Sequence, residues 1–177
     1  RFDLGKLLGI ADMGTIALTV NADGMVGAEL PFVGKIQANI NHFQFRQYTY
    51  QDIQINGHLR NHVFDGQVDS SDPNILFSFA GKVDMRDHAT PSEFMFDLMH
   101  FRPGPLHLSE KFADSDLRLK LALNMQGTTL DDIRGHMTLD SLRFTHIGQT
   151  FSLPHLELLA EERSPEYNGH MRLQPLR

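Results

Sequence analysis

The chain has 177 residues, 41% of them hydrophobic, and a formal charge of -6 from 16 Lys and Arg against 22 Asp and Glu spread thinly along its length. That distribution excludes the basic stripe with which a nucleic-acid binder displaces counterions from phosphates. The absence of Cys excludes thiolate chemistry and cysteine-based metal sites, and no stretch approaches the roughly 20 apolar residues that span a bilayer as a helix.

Taken in chain order, the elements are almost all strands. Alternation of apolar and polar side chains predicts them at residues 2–8, 14–22, 34–45, 48–59, 63–70, 74–85, 93–101, 116–125, 133–144, 150–161 and 166–173. Period two puts the large side chains of a strand on one face and its Gln, Asn, Asp and Glu on the other. Asn61-His62, Ser71-Asp72-Pro73-Asn74, residues 87–91 and Ser164-Pro165-Glu166 supply the residues that favour tight reversals. Only Leu108-Ser109-Glu110-Lys111-Phe112-Ala113 invites a helical turn, and it is too short to matter. The expected fold is all-β, about eleven strands in an antiparallel meander.

One pattern occurs twice. Tyr48-x-Tyr50-x-x-Ile53-x-Ile55-x-Gly57, then Phe64-x-Gly66-x-Val68, returns 103 residues later as Phe151-x-Leu153-x-x-Leu156-x-Leu158-x-Ala160, then Tyr167-x-Gly169-x-Met171. Ile16-x-Leu18-x-Val20 matches Leu119-x-Leu121-x-Leu123 at the same offset, and Gly34-x-Ile36 with Phe43 matches Gly135-x-Met137 with Phe144 at 101. Residues 1–104 read as a first β repeat and 105–177 as a second, truncated one. Together they form one continuous unit, expected to be cut from a longer repeat protein.

Chemistry-bearing constellations are not legible. His58 and His62 are four apart but straddle a turn, while His42, His136, His155 and His170 fall at polar-face positions. Asp69-x-x-Asp72-x-Asn74 lacks the Gly turn and distal Glu of a helical calcium loop and reads as a turn. Asp131-Asp132 and Glu161-Glu162 are adjacent carboxylates pointing to opposite faces, not a pair across a cleft. No nucleophile elbow, phosphate loop or dinucleotide fingerprint is present. No metal, cofactor or enzymatic activity is expected.

Asp72-Pro73-Asn74-Ile75-x-Phe77-x-Phe79-x-Gly81-x-Val83-Asp84, with Tyr48-x-Tyr50-x-Asp52-Ile53-x-Ile55-x-Gly57 before it and Leu130-Asp131-Asp132-Ile133-x-Gly135 after it, resembles the TamB repeat region of the AsmA-like superfamily of cell-envelope proteins. Phe2-x-Leu4-Gly5-Lys6-Leu7-Leu8 with Gly14-Thr15-Ile16 fits the same region, so the likeness covers nearly the whole chain. The resemblance implies an elongated curled sheet with an open apolar groove, a β-taco, in the periplasm of a Gram-negative bacterium. Its implied task is to conduct phospholipid between the inner and outer membranes, with a link to outer-membrane protein assembly. In the full-length protein it implies an inner-membrane anchor and an outer-membrane barrel partner of the TamA type. The residues it nominates as groove lining are Ile53, Ile55, Phe64, Val68, Ile75, Phe77, Phe79, Val83, Phe94, Phe96, Leu119, Leu121, Leu123, Met137, Leu156, Leu158 and Met171. Alternation by itself also fits a secreted β-sandwich that binds a partner through its loops, around a closed, dry core.

Overall fold

The structure, a computed structural model, describes residues 2–3, 12–25, 33–84, 92–126 and 134–160. Its strands are β1 (Phe2–Asp3), β2 (Met13–Met25), β3 (Val33–Phe45), β4 (Tyr48–Tyr50), β5 (Ile53–Arg60), β6 (Val63–Asp72), β7 (Ile75–Asp84), β8 (Ser92–Phe101), β9 (Ser115–Gln126), β10 (Arg134–His146) and β11 (Gln149–Ala160). They form one open sheet in the order β1-β2-β3-β5-β6-β7-β8-β9-β10-β11, with β4 paired to the end of β3. All neighbours are antiparallel. The sheet is flat to weakly curled. Among the described residues there is no second sheet packed on it.

The expected strand over residues 48–59 is divided. Asp52 takes a positive φ of 54°, which bends the chain between β4 and β5. The x-x step in Tyr50-x-x-Ile53 is the trace of that bend: three residues of plain strand would turn Ile53 to the opposite face. Here Tyr50 pairs with Phe43 and Ile53 with Ile40, and Ile40-x-x-Phe43 carries the matching step. The expected strand at 166–173 lies outside the described residues.

Pairing corrects one alignment of the repeat. Ile40 pairs with Ile53 and Leu139 with Leu156, so β11 stands 103 residues on from β5 but β10 only 99 on from β3. Matching Gly34, Ile36 and Phe43 to Gly135, Met137 and Phe144 at 101 is therefore off by two residues. A slip of two keeps every side chain on its face, which is why the hydrophobic pattern alone did not detect it.

Among the described residues, the closed core lies at one end of the sheet. The buried apolar side chains are Ile16, Tyr50, Leu98 and Leu106, the last completely. Leu106 sits on the 102–114 connection between β8 and β9, which folds as successive turns: His107 N donates to Gly104 O (2.8 Å) and Leu108 N to Pro103 O (2.9 Å). Further along, the His107 ring reaches the Arg46 carbonyl at 2.8 Å, and Phe112 stacks edge-on against Phe144 (5.9 Å). This connection thus runs from the β8–β9 step back to the β3–β4 turn.

The Asp-Pro-Asn turn is pinned at the same end. Asp72 is fully buried and its carboxylate accepts from Tyr48 OH (2.7 Å), Asn74 N (2.9 Å) and Gln51 N (3.2 Å). Those donors satisfy a charge that would otherwise be costly to bury. Asp72 therefore organises a turn, as the spacing of its neighbours suggested, with its oxygens engaged by the protein itself. Ser70 Oγ donates to Ile75 O (2.7 Å) and closes the hairpin. Burial, then the hydrogen bond to Asp72, push the Tyr48 hydroxyl up to about 12. Burial likewise raises Tyr50.

Candidate functional site

Strand pairing assembles the alternating side chains into rows that cross the sheet. The central row runs Val20, Ala38, Ile55, Val68, Phe79, Phe96, Leu121, Leu139, Leu156, each residue directly opposite the next. It extends unbroken from β2 to β11. With adjacent strands about 4.8 Å apart, its eight steps cover about 38 Å.

Flanking rows share the face. On one side lie Ala22, Ile36, Gly57, Gly66, Gly81, Phe94, Leu123, Met137 and Leu158. On the other lie Leu18, Ile40, Ile53, Ser70, Phe77, Leu98 and Leu119. Phe64 pairs with Val83 beyond the first of these rows, and Ile75 with Phe101 beyond the second. Every lining residue nominated from the sequence that falls among the described residues is on this one face; Met171 lies outside them. Val20, Ala38 and Leu139 complete the central row and were not nominated. Their signal was present in Ile36-x-Ala38-x-Ile40 and Met137-x-Leu139, but the small side chain of Ala38 and the misaligned β10 concealed it.

The middle of the face is aromatic. Phe79 lies 5.3 Å from Phe94 and 6.3 Å from Phe64, and Phe77 lies 5.5 Å from Phe96. Three glycines, Gly57, Gly66 and Gly81, stand side by side in the flanking row, and the Phe64 ring lies over the first two: a Cβ on either would come within 2.9 Å of it. Gly81, at φ +150°, would set a Cβ 2.3 Å from the Glu93 carbonyl. The gap left by missing side chains is thus covered by an aromatic ring, keeping the surface apolar.

These side chains are half-buried by their own neighbours, while Leu18 and Val20 near one edge are 46% and 50% exposed. The face is therefore an apolar surface with no layer laid over it among the described residues.

The opposite face is polar and internally paired. His136 bonds Glu157 at 2.7 Å, His155 bonds Asp140, His42 bonds Thr15 Oγ1 at 3.0 Å, and Lys120 meets Asp97 at 3.1 Å. The histidines expected on this face are there, but in pairs with neighbours rather than freely solvated. His170, Asp131-Asp132 and Glu161-Glu162 fall outside the described residues. Three shallow cavities, of about 640, 430 and 360 Å³, lie over β7–β10 on this polar side. No family model, curated protein or solved structure matches the chain.

Proposed function

We propose that this chain is a segment of a cell-envelope protein of the TamB type whose apolar sheet face conducts phospholipid acyl chains between the inner and outer membranes. The observation that carries this reading is the central row from Val20 to Leu156. A closed core needs a facing partner, and a row crossing so many strands with none among the described residues supports a continuous apolar track instead.

Energetics make the track useful. Exposing an acyl chain to water costs about 0.8 kcal/mol per CH₂, or on the order of 12 kcal/mol for a sixteen-carbon tail. Apolar contact along the row lowers that barrier at each position. Equivalent Ile, Val, Leu and Phe rungs offer many weak sites, so that no single deep well stalls the cargo. The same reading places the chain in the periplasm, with an inner-membrane anchor and a TamA-like barrel partner belonging to the full-length protein, and assigns it no catalytic step.

Native mass spectrometry of the chain, expressed in a Gram-negative host and purified without detergent, tests the proposal. Adducts of phospholipid mass, lost in the Phe79→Asp variant, are the expected result. A lipid-free spectrum, together with failure to take up added phospholipid, overturns it.

A further inference from the structure

We infer that the polar face carries a phosphate-binding site, centred on Arg118 and Arg143 where β9 and β10 face one another. The two arginines are direct cross-strand partners. Like charges in that relation repel and weaken a sheet; Asp116 offsets this at Arg118, while Arg143 is left open to an anion. Pairing slips by one residue between Asp140 and Arg143, with Ser141 at φ +55°. This bulge is what brings Arg143 opposite Arg118, and bulges re-aim side chains in this way beside functional sites.

The surroundings fit an oxyanion. Asp116 accepts from Arg118 Nε (3.2 Å) and Nη2 (2.9 Å), and meets His100 Nδ1 at 3.1 Å. One carboxylate thereby orients a guanidinium and an imidazole, leaving the remaining Arg118 donors unengaged. Burial works against ionisation of Asp116, but the bonds from Arg118 and His100 outweigh it and hold the carboxyl below its ordinary value. Arg143 has no ion pair or hydrogen bond among the described residues. Arg118, Arg143 and His100 border the same cavity of about 360 Å³, with Lys120 at its side.

Charge and geometry select the ligand class. Arg118, Arg143 and Lys120 outnumber Asp97 and Asp116, and His100 adds a further donor. Planar guanidinium groups on two directly paired positions match the tetrahedral oxygens of a phosphate group better than point charges do. That phosphate belongs either to free inorganic phosphate or a small phosphoester, or to a phospholipid headgroup. The site lies on the side away from the apolar rows and does not depend on lipid being carried there.

The test is titration of the full chain with inorganic phosphate, chloride holding ionic strength constant, read by thermal denaturation and by ³¹P line width. Wild type should show a saturable rise in Tm and broadening of the phosphate signal. Arg143→Gln should weaken phosphate binding at least about tenfold, without a fall in the ligand-free Tm because a repulsive pair is relieved; Lys35→Gln should behave as wild type. In parallel, co-sedimentation with phosphatidylglycerol vesicles separates the sources. Binding that inorganic phosphate displaces and Arg143→Gln abolishes assigns the headgroup, whereas phosphate binding with no vesicle binding assigns the free anion. Absence of saturable phosphate and vesicle binding in wild type overturns the site, as does an equal loss in Lys35→Gln. Those wild-type titrations decide the matter even if a variant does not fold.

Discussion

Leu121→Asp sets a carboxylate in the central row between Phe96 and Leu139, while Ala122→Asp, one residue along, sets the same group on the polar face between Met95 and Thr138. The first change removes a half-buried Leu, worth about 1–2 kcal/mol of apolar burial, so a sheet of ordinary stability survives it. Its effect on a passing acyl chain is larger. Contact with two or three CH₂ groups is lost at about 0.8 kcal/mol each, and the carboxylate must shed water when a tail covers it, giving about 2–4 kcal/mol in all. Added to a transfer barrier, that slows passage roughly 30- to 900-fold. The assay is transfer of a fluorescent phospholipid between donor and acceptor vesicles by the purified chain, with far-UV circular dichroism as the folding control. Ala122→Asp should transfer at the wild-type rate. Equal rates for Leu121→Asp and wild type, or equal loss in both variants with folding intact, would refute the reasoning that one face carries the cargo.

Gly81→Ala, whose new Cβ has the Glu93 carbonyl and the Phe94 backbone within 2.4 Å, should cost about 2–4 kcal/mol in urea denaturation; a neutral result would mean that the β7–β8 ladder opens easily. Leu106→Ala removes the most deeply buried apolar side chain of the closed end and should lose about 2–5 kcal/mol, with hydrogen exchange accelerated first at residues 102–114. Tyr48, with its pKa raised to about 12, should remain protonated in the folded chain while the unfolded chain ionises near pH 10. Stability from this group is full below about pH 10 and falls between there and about pH 12, and Tyr48→Phe should remove that part of the alkaline loss. A tyrosinate absorbance titration of folded protein that reaches completion near pH 10 would contradict it.

Much of this architecture is written in period-two alternation, because a residue's face follows from parity alone. Ile53, Ile55, Phe77, Phe79, Leu119 and Leu121 could each be assigned to a face before their partners were known. Register is a different quantity. The β10 offset, 99 rather than 101, obeys the same parity, and only backbone pairing distinguishes the two. The break at Asp52 was visible as an odd step in the pattern, yet its positive φ is a backbone property that an Asp does not announce. Arg118 and Arg143 are not legible as a pair for a further reason: they are 25 residues apart, and a bulge makes them neighbours. The burial of Leu106 was equally hidden, since a loop's fate depends on what it folds against rather than on its own composition.

The bond from the His107 ring to the Arg46 carbonyl has a mechanical consequence. Between β3 and β8 the sheet takes four ladder steps, about 19 Å if laid flat. Arg102 to His107 is six residues, about 17 Å end to end if fully stretched, but they fold as turns, and the His107 side chain makes the final contact. The connection therefore ties the β3–β4 turn to the chain leaving β8, a link across the end of the sheet that the strand ladders do not supply. Under the proposed function, inserting residues within 102–107 would loosen that link at one end of the apolar face.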